Sequence, residues 1–365
     1  MEIRVETIGK ACKSFFGTET PDEIEVIPYG HINATFRINV GGKDYILQRV
    51  NNEIFKDTKG LINNIAYVTE FLRKKIIENG GDPDRETLTL LKNDKGEYLY
   101  SDESGFYRAY IFITGAATYN SATEKGMFGE SAKAFGKFQN LLADFDTSVL
   151  VEPIKDFHNT PVRFKNFADA VERDKLGRKK LCEKEVEFYL SMKGFCPIIT
   201  SLLASGEMPT RVTHNDTKLN NVMLDDVTKK GVCVIDLDTV MPGSMLYDYG
   251  DSIRFGASSA AEDEKDLDKV YCVPELYEEY TAGFLSELGD KITDCELSHL
   301  HDGAIMMTLE CGLRFLADYL DGDVYFRTSY EGQNLDRART QMKLVQDMLE
   351  NREKFEAIIK KCANR

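Results

Sequence analysis

The stretch Val212-Thr213-His214-Asn215-Asp216-Thr217-Lys218-Leu219-Asn220-Asn221, followed by Val232-Cys233-Val234-Ile235-Asp236, gathers residue types able to move a phosphoryl group from Mg-ATP. An Asp at 216 can face an acceptor hydroxyl as general base. Asn221 and Asp236 can hold magnesium over the phosphates through hard oxygen atoms. Taken singly, each of these residues is an ordinary turn former. It is their combination, with His214 before them, that points to chemistry.

These residues need elements to position them. Asn221-Val222-Met223-Leu224 reads as a short strand, Asp225 to Gly231 as a polar turn, and Val232 to Ile235 as a second, β-branched strand. Such a hairpin would return Asp236 to the side of Asn221. Upstream, residues 1 to about 20 read as a helix, followed by strands at Ile24–Pro28, Thr35–Val40 and Tyr45–Val50, with Gly41-Gly42-Lys43 as a tight hairpin turn. A helix is expected over 59–79 and further strands at 87–91, 98–100 and 107–113. Beyond Gly115 the pattern is mainly helical, with helices expected at 121–144, 164–192, 245–260, 274–288, 296–320 and 334–362. The expected class is α+β, with a small β-rich N-lobe (1–113) and a larger, mainly helical C-lobe (114–365), as in a two-lobed kinase. ATP is expected in the crevice between lobes.

Composition narrows the partners. The formal net charge of −15 disfavours a nucleic-acid or anionic-membrane surface, because phosphate attraction needs a basic field. The basic run from Arg173 to Lys180 reads as a solvated helix face. Eight scattered cysteines form no CxxC pair, so reduced thiols in a cytoplasmic protein are the simple reading. No signal peptide and no bilayer-spanning segment is expected. The five histidines form no HExxH pattern. Without a heptad pattern, a monomer is the default expectation.

The motifs "RVTHNDTKLNNVML", "IDLDTVMPGSMLYDYGDSIRFGAS", "AEDEKDL", "ECGLRFLADYLDGDVYF" and "NLDRARTQMKLVQ" resemble the N-acetylhexosamine 1-kinases of the aminoglycoside phosphotransferase and choline kinase superfamily. So do "GHINATF", "YILQRVN", "FGKFQNLLADFD" and "FHNTPVRF" nearer the N-terminus. The resemblance runs over essentially the whole chain. It implies ATP-dependent phosphorylation of the anomeric hydroxyl of N-acetylglucosamine or N-acetylgalactosamine.

Under that reading Asp216 is the base and His214 braces its loop. Asp238 either aids the metal or caps a turn, and in an extended segment it would share a face with Asp236. The resemblance expects Asp248 to buttress the catalytic loop; Asp251 could do so instead, or N-cap a helix. It also makes Pro28 to Thr35 a phosphate-covering loop, with Gly30, Asn33 and Thr35 near the nucleotide and His31 near the sugar. Such kinases usually carry a strand lysine paired with a helix Glu. Here the matching segment offers Gln48 or Arg49, on opposite faces, and Asn63 or Asn64 where a Glu would stand. Adenine is expected against the connector Tyr110 to Gly115, including Phe112 and Ile113.

For the sugar, Arg314 stands out in an apolar helix, where a charge is costly unless paired. Asp318, one turn on, is an alternative structural partner. Phe255 and Tyr325 are candidate apolar walls, and His158 and Asn159 could contribute or simply form a turn. Two other readings stay open: a kinase for another acceptor, such as a different hexose, an amino alcohol or an aminoglycoside, and a nucleotide-binding pseudokinase.

Overall fold

The computed structural model describes residues 8–28, 32–122 and 124–363. The chain divides into two compact units. The first comprises Met1–Thr118, Asp144–Lys155 and Val222–Pro242; the second comprises Tyr119–Ala143, Asp156–Asn221 and Gly243–Arg365.

The first unit is built on an antiparallel sheet of β1 (Glu23–Ile27), β2 (Ala34–Val40), β3 (Lys43–Val50), β4 (Tyr100–Asp102) and β5 (Gly105–Ile111), in the order β1-β2-β3-β5-β4. The turn between β2 and β3 needs two successive positive φ angles, and Gly41 (59°) and Gly42 (75°) supply them. Strand alternation gives the sheet two characters. Phe36, Ile38, Leu47, Tyr107 and Ala109 point to one face, where they bury against Ile8, Ala11 and Cys12 around α1 (Gly9–Phe16). Thr35, Gln48 and Arg108 are cross-strand neighbours on the other face. The unit also holds α2 (Thr58–Glu78), N-capped by Asp57, and the short α3 (Pro83–Glu86). The expected hairpin is present: Val222–Asp225 pairs with Gly231–Val234, with Val222 opposite Val234, and Ala116–Ala117 extends it.

The second unit is helical: α4 (Met127–Leu141), α5 (Thr160–Arg173), α6 (Glu183–Ser191), α7 (Ile198–Ser205), α8 (Met245–Gly256), α9 (Pro274–Leu288), α10 (Asp294–Ser298), α11 (Leu300–Asp321), α12 (Gln333–Glu350) and α13 (Arg352–Cys362). Helix α4 packs on α9, and α11 packs on α8, α12 and α5. Gly250 of α8 faces Gly303 of α11 so closely that a Cβ on Gly250 would lie 2.2 Å from the Gly303 carbonyl oxygen.

Several elements differ from expectation. Helix α1 ends at Phe16 because Gly17 turns left-handed (φ 81°), and the expected helical residues 1–7 lie outside the described residues. Residues 87–91 form a single bridge, Leu90 to Tyr110, rather than a strand. The helix expected over 164–192 is two, separated where Asp174 and Gly177 adopt positive φ. The Arg173–Lys180 run is therefore a helix end and loop, with Arg173 paired to Asp321 and Arg178 to Asp323. The helices expected at 296–320 and 334–362 break at His299 and Asn351. Helix α7 was not expected. The stretch Glu183–Ser205 is, by length and composition, long and apolar enough to cross a membrane, against expectation. In the structure it is interrupted by a turn at Met192–Gly194 and by Pro197.

Candidate active site

In the second unit, the loop His214–Thr217 follows the strand Arg211–Thr213 and is fastened to α8. The buried Asp248 carboxylate accepts the N–H of His214 (2.9 Å) and of Asn215 (2.8 Å), and Gln139 Nε2 donates to it at 2.7 Å. One turn on, Asp251 accepts the Thr217 N–H at 3.2 Å. Ser252 Oγ donates to the Thr217 carbonyl at 2.7 Å, and Thr217 Oγ1 donates to the Asp248 carbonyl at 2.6 Å. Helix α8 thereby satisfies the N–H groups of His214, Asn215 and Thr217 and the Thr217 carbonyl, and fixes the path of the loop. Asp251 lies inside the helix and pairs with Arg254 at 3.0 Å, so it is not an N-cap. Burial pushes the Asp248 carboxyl above its ordinary range, against the pull of His214 and the hydrogen bonds it accepts.

The side chain of His214 is fully buried, edge-on to Phe135 and Phe138, and its Nδ1 accepts the Asp216 N–H at 3.3 Å. It braces the loop. Asn215 adopts φ 65°, a strained conformation of the kind that clusters at functional sites. Asp216 is half-exposed, with one oxygen 2.7 Å from Lys218 Nζ and the other 3.1 Å from Asn221 Nδ2. Burial opposes the Lys218 ammonium, but Asp216 and Asp251 outweigh it and hold its pKa above the ordinary lysine value. Lys218 was not among the residues picked from sequence, although its place two residues after Asp216 was visible there.

In the first unit, Asp236 follows the hairpin with φ 59° and ψ 56° and leads into a single 3-10 turn, Leu237–Thr239. The segment is not extended, so Asp238 does not share a strand face with Asp236, nor does it cap a turn. Its two carboxylate oxygens meet Arg108 Nη1 and Asn33 Nδ2, each at 2.5 Å. Arg108 also donates to Gln48 Oε1 from Nε (3.0 Å) and Nη2 (2.8 Å), and Gln48 Nε2 donates to Thr35 Oγ1 at 3.1 Å. Strand alternation thus separates the two lysine candidates. Gln48 joins this network, whereas Arg49 lies on the other face, against Gly105. Asn64 is occupied structurally, bonding the Val151 and Val240 backbones. Arg85 of α3 donates to the carbonyls of Thr114 and Gly115 in the connector and to Asp225 (2.6 Å). Phe112 stacks under Arg37 at 4.8 Å, and Ile113 is buried. Gly30 and His31 lie outside the described residues.

The residues picked for the sugar divide. Arg314 forms no ion pair among the described residues, although, against burial, its charge, after that of His158, helps hold the Glu310 carboxyl below its ordinary range. Asp318 instead accepts the N–H groups of Val324, Tyr325 and Phe326 and the Asn334 amide, shaping the turn after α11. The Arg314 guanidinium lies 5.4–5.8 Å from the ring centres of Phe157, Tyr325 and Phe326. Burial, and then the nearby Arg314, lower the pKa of Arg163. His158 links this cluster to the loop, with Nδ1 2.7 Å from Glu310 and Nε2 3.4 Å from the Asn215 carbonyl. Asn159 N-caps α5. Phe255 is 42% exposed beside Arg254, and Tyr325 is 69% exposed against Phe326.

Asn221 and Asp236 each carry the kind of hard oxygen that magnesium takes. Asn221 commits its Nδ2 to Asp216, which leaves its carbonyl oxygen for a hard cation. The carboxylate of Asp238, two residues beyond Asp236, already meets Arg108 and Asn33.

A family model, APH, described as the phosphotransferase enzyme family, matches residues 23–282. Solved structures of the same fold include the microcompartment-associated aminopropanol kinase (14% identity, 97% of this chain and 99% of that one, TM-score 0.57). A spectinomycin phosphotransferase solved with ADP and spectinomycin matches at 13% identity over 97% and 99% of the two chains, TM-score 0.59. A choline kinase from Cryptosporidium parvum Iowa II matches at 16% identity over 96% of each chain, TM-score 0.57.

Proposed function

The chain belongs to the phosphotransferase enzyme family, and from that premise we propose that it transfers the γ-phosphoryl group of ATP to the anomeric hydroxyl of an N-acetylhexosamine. The observation that carries the reading is the Asp216 carboxylate, presented half-exposed on a loop fastened to α8 on both sides of it, at His214, Asn215 and Thr217.

In this reading Asp216 accepts the acceptor's proton as its oxygen attacks phosphorus. The transition state is loose, so orientation counts for more than basicity. His214 and Asp248 hold the loop, and Asn221 fixes the carboxylate's rotation. Lys218, 2.7 Å from Asp216, brings a positive charge to the place where negative charge gathers during transfer. Bound magnesium, held by Asn221 and Asp236, would supply charge neutralisation on the phosphate oxygens.

The acceptor assignment rests on the motif resemblance and on the Arg314 cluster. A guanidinium in no ion pair among the described residues, set among Phe157, Tyr325 and Phe326, offers donors for a carbonyl or hydroxyl and an apolar wall for a methyl group. Its positive charge, with Arg163 nearby, disfavours amino alcohols and aminoglycosides. The test is an acceptor panel: ATP consumption with N-acetylglucosamine, N-acetylgalactosamine, glucose, choline and an aminoglycoside. The acetamido sugars should lead. Turnover with choline or the aminoglycoside and none with the sugars would overturn the assignment.

A further inference from the structure

A buried polar circuit in the first unit has no place in the chemistry above. Thr35, Gln48 and Arg108 stand side by side across β2, β3 and β5 and are hydrogen-bonded in sequence. The Arg108 side chain is 1% exposed and that of Asp238 5%. The second oxygen of Asp238 accepts from Asn33 Nδ2, and Asn33 Oδ1 accepts the Asn51 N–H at 3.0 Å. The circuit therefore runs from the sheet through Arg108 to Asp238 and returns through Asn33 to the residues flanking β2 and β3.

A guanidinium this deep needs a carboxylate partner. Without Asp238 its charge would be stranded away from water, so the pair dictates where Asp238 sits. Asp238 lies two residues beyond Asp236, within one 3-10 turn, and Asp236 itself is held at φ 59°, where a non-glycine residue is strained. Something must hold that conformation. On one side of it is the hairpin. On the other are the Arg108–Asp238 pair and Asn64, whose amide donates to the Val240 carbonyl at 2.9 Å.

We propose that Arg108, acting through Asp238, is a positioning residue that fixes the orientation of Asp236 as a metal ligand. It is a second layer of the metal site, built from a strand of the sheet, and it does not contact phosphate. The inference rests on the phosphotransferase reading above.

The test is ADP binding by calorimetry, with magnesium and with EDTA, in the full chain and in Asp238→Asn, Arg108→Met and the double variant Arg108→Met/Asp238→Leu. Removing an outer partner of a metal ligand lowers metal affinity by about 10–100-fold. The magnesium-supported gain in ADP affinity should therefore fall by at least about tenfold in Asp238→Asn and in the double variant. Affinity in EDTA should stay at the unmutated value. The double variant removes both buried charges together, which protects folding if the single changes impair it. Variants that melt earlier but keep the full magnesium-supported gain would overturn the inference and leave the circuit purely structural. Equal losses with and without magnesium would also overturn it, by making Arg108 a direct phosphate contact. If the unmutated chain shows no magnesium-supported ADP binding, the phosphotransferase reading itself fails and takes this inference with it.

Discussion

The amide of Asn221 donates to Asp216 twice, to its main-chain carbonyl at 2.7 Å and to its carboxylate at 3.1 Å. One side chain thus sets the rotation of the proposed base, while its carbonyl oxygen is the atom that would serve the proposed metal. Both jobs depend on an amide, which offers a donor and an acceptor at once. In Asn221→Asp the donor is lost and a second negative charge stands beside Asp216. Turnover should fall by about 100-fold or more, within the range such positioned acid–base groups contribute. Steady-state kinetics alongside a thermal melt would check this, and a variant with ordinary kcat would remove Asn221 from the site.

Gly250 should control activity without touching any substrate. A Cβ there would lie 2.2 Å from the Gly303 carbonyl oxygen, so Gly250→Ala must push α8 away from α11. Overpacking of this kind costs about 1–3 kcal/mol. Because α8 carries Asp248, Asp251 and Ser252, the displacement should reach the 214–217 loop. Urea unfolding should show the stability loss, and kcat should fall at temperatures where the variant is still folded. Lost stability with full kcat would mean that the loop does not depend on where α8 sits.

Asp225 should give the hairpin an acid-sensitive turn. The Thr228 N–H, the Thr228 hydroxyl and the Val227 N–H, aided by Arg85, hold its carboxyl at a pKa of about 2, below the usual 3.8. A depressed folded-state pKa contributes stability above the unfolded value, and that contribution is lost as pH falls from 3.8 through 2. Carboxyl NMR titration should find Asp225 among the most acidic aspartates. Asp225→Asn should remove the part of the acid-induced loss that belongs to that window. A titration midpoint near 3.8 would contradict the hydrogen-bonded turn.

The sequence carried the catalytic loop and the hairpin because their signals are local. A short apolar run and a β-branched run on either side of a polar turn that ends in Gly231 read as a hairpin, and Asp216 and Asn221 lie in one short segment. The buried circuit was not legible for the opposite reason. Arg108 sits between Tyr107 and Ala109, and in a strand that alternation reads as an arginine facing solvent. It faces Asp238 instead, from a loop far along the chain. Pairing β3 with β5 would have set Arg108 beside Gln48, but no local pattern fixes that register. The place of Asp238 is not legible either, because an extended segment would set it on the face of Asp236, whereas Asp236 takes a left-handed conformation. The helix breaks at Asp174, His299 and Asn351 are not legible in sequence because apolar periodicity continues across them. Asp318 was offered as the partner of Arg314 on helical spacing alone. Its carboxylate turns to the backbone of residues 324–326, where three N–H groups compete for it.

The central claim is that Asp216 serves transfer to an anomeric hydroxyl, and the most direct measurement is phosphorus and proton NMR of the product formed from N-acetylglucosamine or N-acetylgalactosamine with Mg-ATP. The account predicts a sugar 1-phosphate with the unmutated chain, and almost none with Asp216→Asn although that variant still binds Mg-ATP. Phosphate on any other hydroxyl, or product formed equally well by Asp216→Asn, would contradict it.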